Sequence, residues 1–293
     1  MTSPTEQRLG EVLRDLVAEP PFAPDTAAIA RLARRSRRRM RLAQGGVVAI
    51  VGAVIAVGAS GVATPTSAPR AAGAHTPPIA VNGSLVSMAA DVATQAEPTV
   101  GDATLVQRAE PANPSYGGWD LYTDDGRYFY SLDKTGLPDA VKKNQDVGDG
   151  SFAREIAAAL YAVHGDLPTA RLRMAEAPDL PGKVVMPSPK SFDNFVWDFG
   201  MDALVAGSSN PRVRAGVLRL YATLPDVTVT HTTVGGQPAL TLMAGAAELP
   251  PGYTETLDIN ADTGVPLTFV GTQSGSPAVN VTYTSTRVTV ADV

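Results

Sequence analysis

The side chains that could perform catalysis or bind a metal are few and poorly spaced in this chain of 293 residues. The three histidines, His75, His164 and His231, fall in three different predicted elements, so no element carries two of them at the spacing of a metal site. There is no cysteine, which excludes disulfides, thiolate zinc sites and cysteine nucleophiles. We therefore expect neither a metal nor a cofactor.

Two further patterns resemble catalytic motifs. Asp198 and Asp202 lie one predicted helical turn apart and could share a cation, although carboxylates at this spacing usually form a solvated face. Ser131 and Lys134 match S-x-x-K, and Lys134 also begins a K-T-G match. In penicillin-binding enzymes these motifs belong on separate elements, whereas here they share one strand end. We predict that the protein is not an enzyme.

Aromatic side chains are the more informative group. They concentrate in a predicted β-hairpin and in one predicted helix, and at this density they either line an apolar ligand cleft or pack the sheet against helices. The candidate cleft residues are Trp119, Tyr122, Tyr128, Tyr130, Phe195 and Trp197.

Charge is distributed unevenly along the chain. Residues 1–44 contain nine arginines and five acidic residues, a net charge of +4 within a total of −5, so the remainder is acidic. The arginines crowd in front of an apolar run instead of spreading over a folded surface, which argues against a nucleic-acid partner. This placement is typical of a membrane anchor.

Residues 42–63 carry no charge and are long enough for one transmembrane helix, since about 20 residues cross a bilayer core of about 30 Å. The preceding arginines place the N-terminus in the cytoplasm by the positive-inside rule. A cleaved signal peptide and a buried core helix remain as alternatives. The resulting domains are a cytoplasmic basic helical segment (1–41), the transmembrane helix (42–63), a linker (64–78) and an extracytoplasmic domain (79–293).

The cytoplasmic segment contains an amphipathic stripe, whose candidate partner-binding residues are Leu9, Leu13 and Leu16. A segment this short has no core of its own. It either binds a cytoplasmic regulatory protein or rests on the lipid bilayer.

Periodicity predicts an α+β fold for the outer domain. Helices are expected at about 84–96, at 191–205 and at 211–223. Another helix is expected to begin at Ser151 as its cap, and its predicted apolar face consists of Phe152, Ile156, Ala159 and Leu160. Strands are expected at about 102–108, 118–123, 127–132, 227–234, 238–243, 253–260, 265–272 and 279–290. Short turns between strands predict an antiparallel sheet, with the helices covering one face.

The last hairpin has the most regular pattern. Tyr253, Leu257 and Ile259 alternate with polar residues in its first strand, and Val265, Leu267 and Phe269 are expected to resume the alternation in its second strand. Gly264 is predicted to take a positive φ in the turn.

The order of basic head, single span, Pro/Ala linker and VRAGVLRLYATLPDVTVTHTTVGGQPALTL resembles an actinobacterial family of single-pass membrane proteins of unknown function, often found beside extracytoplasmic-function sigma factors. The chain departs from that pattern at Asp226, where glycine is commoner, and at Gln237, where arginine is expected. The hairpin LDINADTGVPLTF is similar to the half-barrel sheets of the LolA/RseB type.

These resemblances imply a curved sheet whose concave face is covered by helices. They also imply a sensor or regulator linked to a sigma factor, in which the outer domain binds a ligand or partner and the inner segment engages a cytoplasmic protein. The alternative is a tethered carrier that holds a lipid or lipopeptide without signalling.

Overall fold

A computed structural model describes residues 82–177, 189–245, 249 and 252–293. The predicted cytoplasmic segment, membrane span and linker lie outside these residues. The helices are α1 (Gly83–Ala93), α2 (Leu137–Lys142), α3 (Ser151–Ala162), α4 (Leu167–Glu176), α5 (Pro189–Ala206) and α6 (Pro211–Tyr221). The strands are β1 (Ala103–Ala109), β2 (Gly118–Thr123), β3 (Tyr128–Ser131), β4 (Thr228–Val234), β5 (Gln237–Ala244), β6 (Tyr253–Asn260), β7 (Pro266–Gln273) and β8 (Val279–Val288).

The strands form one antiparallel sheet of eight in the order β3-β2-β1-β8-β7-β6-β5-β4. Two meanders, β1 to β3 and β4 to β8, are joined because the first and last strands of the domain lie side by side. The sheet is open, since its two edge strands do not pair with each other. The predicted α+β class and all eight strands are confirmed, whereas α2 and α4 were not predicted.

Helix α6 is the centre of the helical layer. Asn210 caps it by accepting hydrogen bonds from the backbone N–H groups of Arg212 and Val213, and nearly all its residues are buried against α1, α3 and α5. The crossing with α3 is very close. A Cβ atom on Gly216 would lie 1.8 Å from the carbonyl oxygen of Ala159, so only glycine fits at this contact.

The predicted orientation of α3 was wrong in two respects. Ser151 does not cap the helix, because its side chain is buried and the side chain of Asp149 accepts from its N–H. The buried face is Ser151, Glu155, Ala158, Ala159 and Ala162, rotated from the predicted one. The physical reason is the contact with Gly216, which requires small alanines at the interface and turns the bulkier Phe152 toward the sheet.

The helices do not all cover one face of the sheet. At the β1–β3 end, α2 packs on the face opposite α3, where Ala103, Leu121, Phe129 and Leu137 form a separate hydrophobic cluster. The helical layer therefore covers one face, and α2 covers the corner of the other. The expectation that helices gather on a single face is corrected accordingly.

Farther along, the face on which none of the described helices packs is polar. Register aligns Thr230, Thr241, Asp258, Thr268 and Thr282 in one row across β4 to β8. The hydroxyls of Thr241 and Thr268 donate to the two carboxylate oxygens of Asp258. β-Branched side chains with hydroxyl groups suit a water-facing sheet surface.

The closing hairpin confirms one prediction and corrects another. Gly264 has φ +71°, as predicted for the turn. The alternation of Val265, Leu267 and Phe269 is interrupted, because Pro266 takes the position opposite Ile259 and the register shifts there. Proline lacks an N–H and is therefore favoured at strand starts and bulges.

Candidate functional site

Helix α5 lies against the helix-covered face of the sheet and supplies one side of the candidate site. Phe195, Asp198 and Asp202 follow at three- and four-residue spacing and are half-buried. Although Asp198 lies near Tyr253 of β6 and Asp202 near buried Tyr122 of β2, both carboxylates remain partly exposed. The line of contact between α5 and the sheet, here named the α5 seam, therefore carries partly exposed carboxylates.

The wall of the seam formed by β6 is acidic and aromatic. Glu255 accepts a hydrogen bond from the indole Nε1–H of Trp197 at 2.7 Å. Tyr253, two residues earlier on the same face, is half-buried. Burial, together with the Glu255 and Asp198 carboxylates, raises the pKa of Tyr253 to about 12. This wall thus favours neutral phenols beside negative carboxylates.

Three more tyrosines surround the same carboxylates. Burial raises the pKa of Tyr221 well above its ordinary value, and Asp198, Asp202 and Glu255 raise it further. The pKa of Tyr283 is raised by burial and, in part, by Asp202. Tyr122 shows the same direction of shift, caused first by burial and then by Asp120. The protein interior keeps these phenols protonated, because a phenolate there would lose its contact with water and be repelled by the neighbouring carboxylates.

One ion pair closes the β1–β2 end of the seam. Arg108 donates through Nε to Asp120 at 2.5 Å and through Nη2 at 3.2 Å, and the Tyr128 hydroxyl donates to the same carboxylate. Burial disfavours the charged guanidinium, but Asp120 overrides this effect and raises the pKa of Arg108. The bidentate geometry holds the charges in place.

The structure brings together two of the predicted hairpin aromatics. Tyr122 and Tyr128 stack with ring centroids 4.9 Å apart, and Phe152 of α3 lies 5.0 Å from each. Tyr130 lies on the same face, where its hydroxyl donates to the carbonyl oxygen of Gly117. The rings of Tyr122 and Tyr128 therefore pack the sheet against α3.

The remaining predicted residues lie elsewhere. Trp119 is on the opposite face of β2, beside the ammonium of Lys134, because successive strand residues alternate between faces. Trp197 is fully buried and stacks on Tyr221 at 4.7 Å. Phe195 stacks on Phe199 at 5.4 Å. The six predicted residues therefore do not form one cleft.

Sequence reasoning missed Glu255, Tyr283 and Tyr221 and treated Asp198 and Asp202 as a solvated pair. A signal was present for Glu255, because alternation from Leu257 and Ile259 places it on the buried face. A carboxylate on the buried side of a strand marks a polar interior. Tyr221 and Tyr283 had no comparable signal, since buried tyrosines are ordinary core residues.

The site does not have the composition of a metal centre. No group of three or more His, Asp or Glu side chains in the described ranges is placed to hold a metal ion. Among the helices of residues 82–177 and 189–245, none is both long and apolar enough to cross a membrane. The predicted span at 42–63 lies outside these residues.

The fold defines the class of the molecule as an α+β protein with an open antiparallel sheet. Comparison of the chain with protein-family models, curated proteins and solved structures finds no match.

Proposed function

We propose that the protein is a membrane-anchored binding protein whose outer α+β domain takes an amphipathic ligand at the α5 seam. The observation that carries the proposal is the half-exposed row of Phe195, Asp198 and Asp202 facing Tyr253 and Glu255. Partly exposed aromatic rings between a helix and a sheet offer apolar contact, while the carboxylates favour a cation. The half-barrel resemblance of the closing hairpin supports the same location.

The ligand class follows from the side chains. An apolar chain would lie along the half-buried ring of Phe195, and an amine head would meet the carboxylates and the half-buried ring of Tyr253. An anionic head would be repelled by Asp198, Asp202 and Glu255. A lipid or lipopeptide with an exposed amine fits this description.

Trp197 provides a direct readout of the seam. The chain has two tryptophans, so a Trp119→Phe background leaves Trp197, which contacts Glu255, as the single reporter. In the full chain reconstituted in nanodiscs, a long-chain alkylammonium should change its fluorescence at lower concentration than the alkyl sulfate of equal chain length.

Removal of the seam charge should weaken binding of the alkylammonium. We expect Asp198→Asn and Glu255→Gln each to raise its apparent dissociation constant by about tenfold, which corresponds to about 1.4 kcal/mol. The amide in Glu255→Gln keeps an acceptor for the indole. Asp139→Asn is the matched control, since that carboxylate is 69 % exposed on α2. Equal binding of ammonium and sulfate probes would refute the proposal.

The regulatory form of the proposal concerns the inner segment. Leu9, Leu13 and Leu16 would bind a cytoplasmic regulatory protein that responds to the outer ligand, as the sigma-factor resemblance implies. Replacing all three by Asp should abolish capture of that protein by the full chain and leave membrane insertion intact. If residues 1–41 instead bind acidic vesicles in a salt-sensitive manner and capture no protein, the tethered carrier without signalling is the better description.

A further inference from the structure

The outer edge of β4 ends the sheet on one side. All seven residues of this strand, TVTHTTV, are exposed or half-exposed, including those on the helix-covered face. The helical layer therefore does not extend over β4. Among the described residues, β4 pairs with β5 alone, so no described strand lies on its other side.

The turn identifies which backbone groups point outward. Gly235 and Gly236 both have positive φ, of +57° and +80°, and connect Val234 directly to its partner Gln237. In such a two-residue hairpin, the flanking pair is hydrogen-bonded. Alternation along β4 then directs the N–H and C=O groups of Val229, His231 and Thr233 away from β5. This set of outward groups is here named the β4 edge.

The β4 edge lacks the features by which edge strands usually avoid pairing. The strand has no lysine, no other charged residue and no proline, and its register with β5 runs without a bulge. The opposite edge of the sheet is protected by its own chain. There, the Val147 N–H donates to the Tyr128 carbonyl oxygen, and the Asp146 carboxylate accepts from the Tyr128 N–H.

We propose that the β4 edge binds the β4 edge of a second copy of this chain, in antiparallel pairing about a two-fold axis at His231. This register places His231 opposite its own symmetry mate, Val229 opposite Thr233, Thr230 opposite Thr232 and Thr228 opposite Val234. The three outward residues of each strand would form about six backbone hydrogen bonds. The two sheets would become one continuous sheet of 16 strands, twice the eight of a single copy.

Self-pairing is favoured by the composition of the strand. Apart from the pair at His231, every cross-strand pair joins two β-branched side chains, which pack well across antiparallel strands. The uncharged edge brings no Asp, Glu, Lys or Arg opposite its own copy, although the chain as a whole is acidic. A closed two-fold contact also uses the same edge on both copies. The inference does not depend on the proposed ligand site, because none of its residues lies at the α5 seam.

Cysteine cross-linking tests the register. The chain has no native cysteine, so His231→Cys introduces one thiol per copy. Opposed residues of a hydrogen-bonded antiparallel pair have Cα atoms about 5.5 Å apart, within the range that a disulfide spans. Mild oxidation of the full chain in nanodiscs that hold two copies should yield a disulfide dimer. The control Thr282→Cys, exposed near the middle of the open face, should yield little.

Edge-blocking variants test whether pairing drives association. In detergent, sedimentation of the full chain should show a dimer that Thr233→Pro weakens at least tenfold, because proline removes an outward donor and its ring obstructs the partner. His231→Lys, which opposes two like charges, should have the same effect. Thr254→Lys, at an exposed position of β6 away from the edge, should not. Unchanged thermal unfolding would show that both variants fold.

The inference is overturned if the full chain stays monomeric. Binding of an added extended peptide to the β4 edge would not support it, because the proposed partner is a second copy of the chain. The inference is equally overturned if Thr282→Cys cross-links as well as His231→Cys, or if the dimer survives both blocking variants.

Discussion

Arg214 is a buried cation held by neutral acceptors. It is 6 % exposed in α6 and donates to the carbonyl oxygens of Thr263 and Ser208 and to the side-chain oxygen of Gln95. Burial lowers the pKa of Arg214 to about 10, so the group remains charged at neutral pH. One side chain thus connects α6 to the closing hairpin, to the α5–α6 loop and to the end of α1.

Arg214→Met should lower the free energy of unfolding by about 2 kcal/mol or more, because it leaves these buried acceptors without donors. Arg212→Met is the control on the same helix. Its side chain is 47 % exposed and 3.8 Å from Glu97, so its loss should change stability by less than about 0.5 kcal/mol. Denaturant unfolding measures both, and equal effects would contradict the role assigned to Arg214.

Gly264→Val should destabilise the outer domain by about 1 kcal/mol or more, since a β-branched residue is strained at φ +71°. A Cβ there would also meet Leu218 at 3.4 Å. Gly275 has φ +82° but open space around it, so Gly275→Val isolates the backbone strain. The melting temperature should fall more for Gly264→Val than for Gly275→Val, and the reverse order would show that crowding is unimportant.

At the scale of elements, the crossing of α3 and α6 sets the geometry of the helical layer. Gly216→Ala should destabilise the protein by about 3 kcal/mol or more, because the added Cβ would lie 1.8 Å from the Ala159 carbonyl oxygen. Gly83→Ala in α1 meets nothing within 4 Å and should be neutral or slightly stabilising. Thermal unfolding compares them. A small effect of Gly216→Ala would mean that the two helices separate easily.

At the scale of the whole molecule, buried tyrosines predict a stability loss at alkaline pH. The ordinary tyrosine pKa is 10.0, and burial raises the folded-state pKa of Tyr122, Tyr221, Tyr253 and Tyr283 above it. Between the unfolded and folded values only the unfolded chain loses the proton, so stability is full below pH 10 and falls as pH rises above it. The lowered pKa of Arg214 changes stability in the opposite direction over this pH range, but Arg214 is one group against four tyrosines.

Denaturant midpoints measured from neutral pH to about pH 11 should therefore decline above pH 10, the unfolded-state value. Tyr283→Phe should decline less than the parent chain, since the variant has one fewer raised phenol. A midpoint that does not change with pH over this range would contradict the burial of these hydroxyls.

The predicted topology can be tested with single cysteines in the full chain. Ser274→Cys, in the exposed turn between β7 and β8, should react with an impermeant thiol reagent in intact cells. Ser3→Cys should not react, because the arginines before residue 42 are expected to hold it in the cytoplasm. Labelling of both, or release of the outer domain without detergent, would exclude a single uncleaved span.

Local patterns were sufficient for much of the fold. Alternation and turn residues predicted all eight strands and the positive φ of Gly264. These features depend on neighbours a few positions away, so the sequence alone could determine them. Local patterns predicted the two meanders but did not show how they join. The pairing of β1 with β8 joins them, and these two strands lie at opposite ends of the domain's sequence.

Tertiary contacts decided the rest. Gly216 of a distant helix set the orientation of α3. The separation of Trp119 from Tyr122, in contrast, follows from alternation along β2 and could have been predicted from the sequence. Asp198, Asp202 and Glu255 meet only because α5 lies across strands that are remote in sequence. Side-chain type determined which residues could be buried or charged. Their environment depended on the packing of α5 on the sheet, because burial and proximity to other charges are properties of the folded chain.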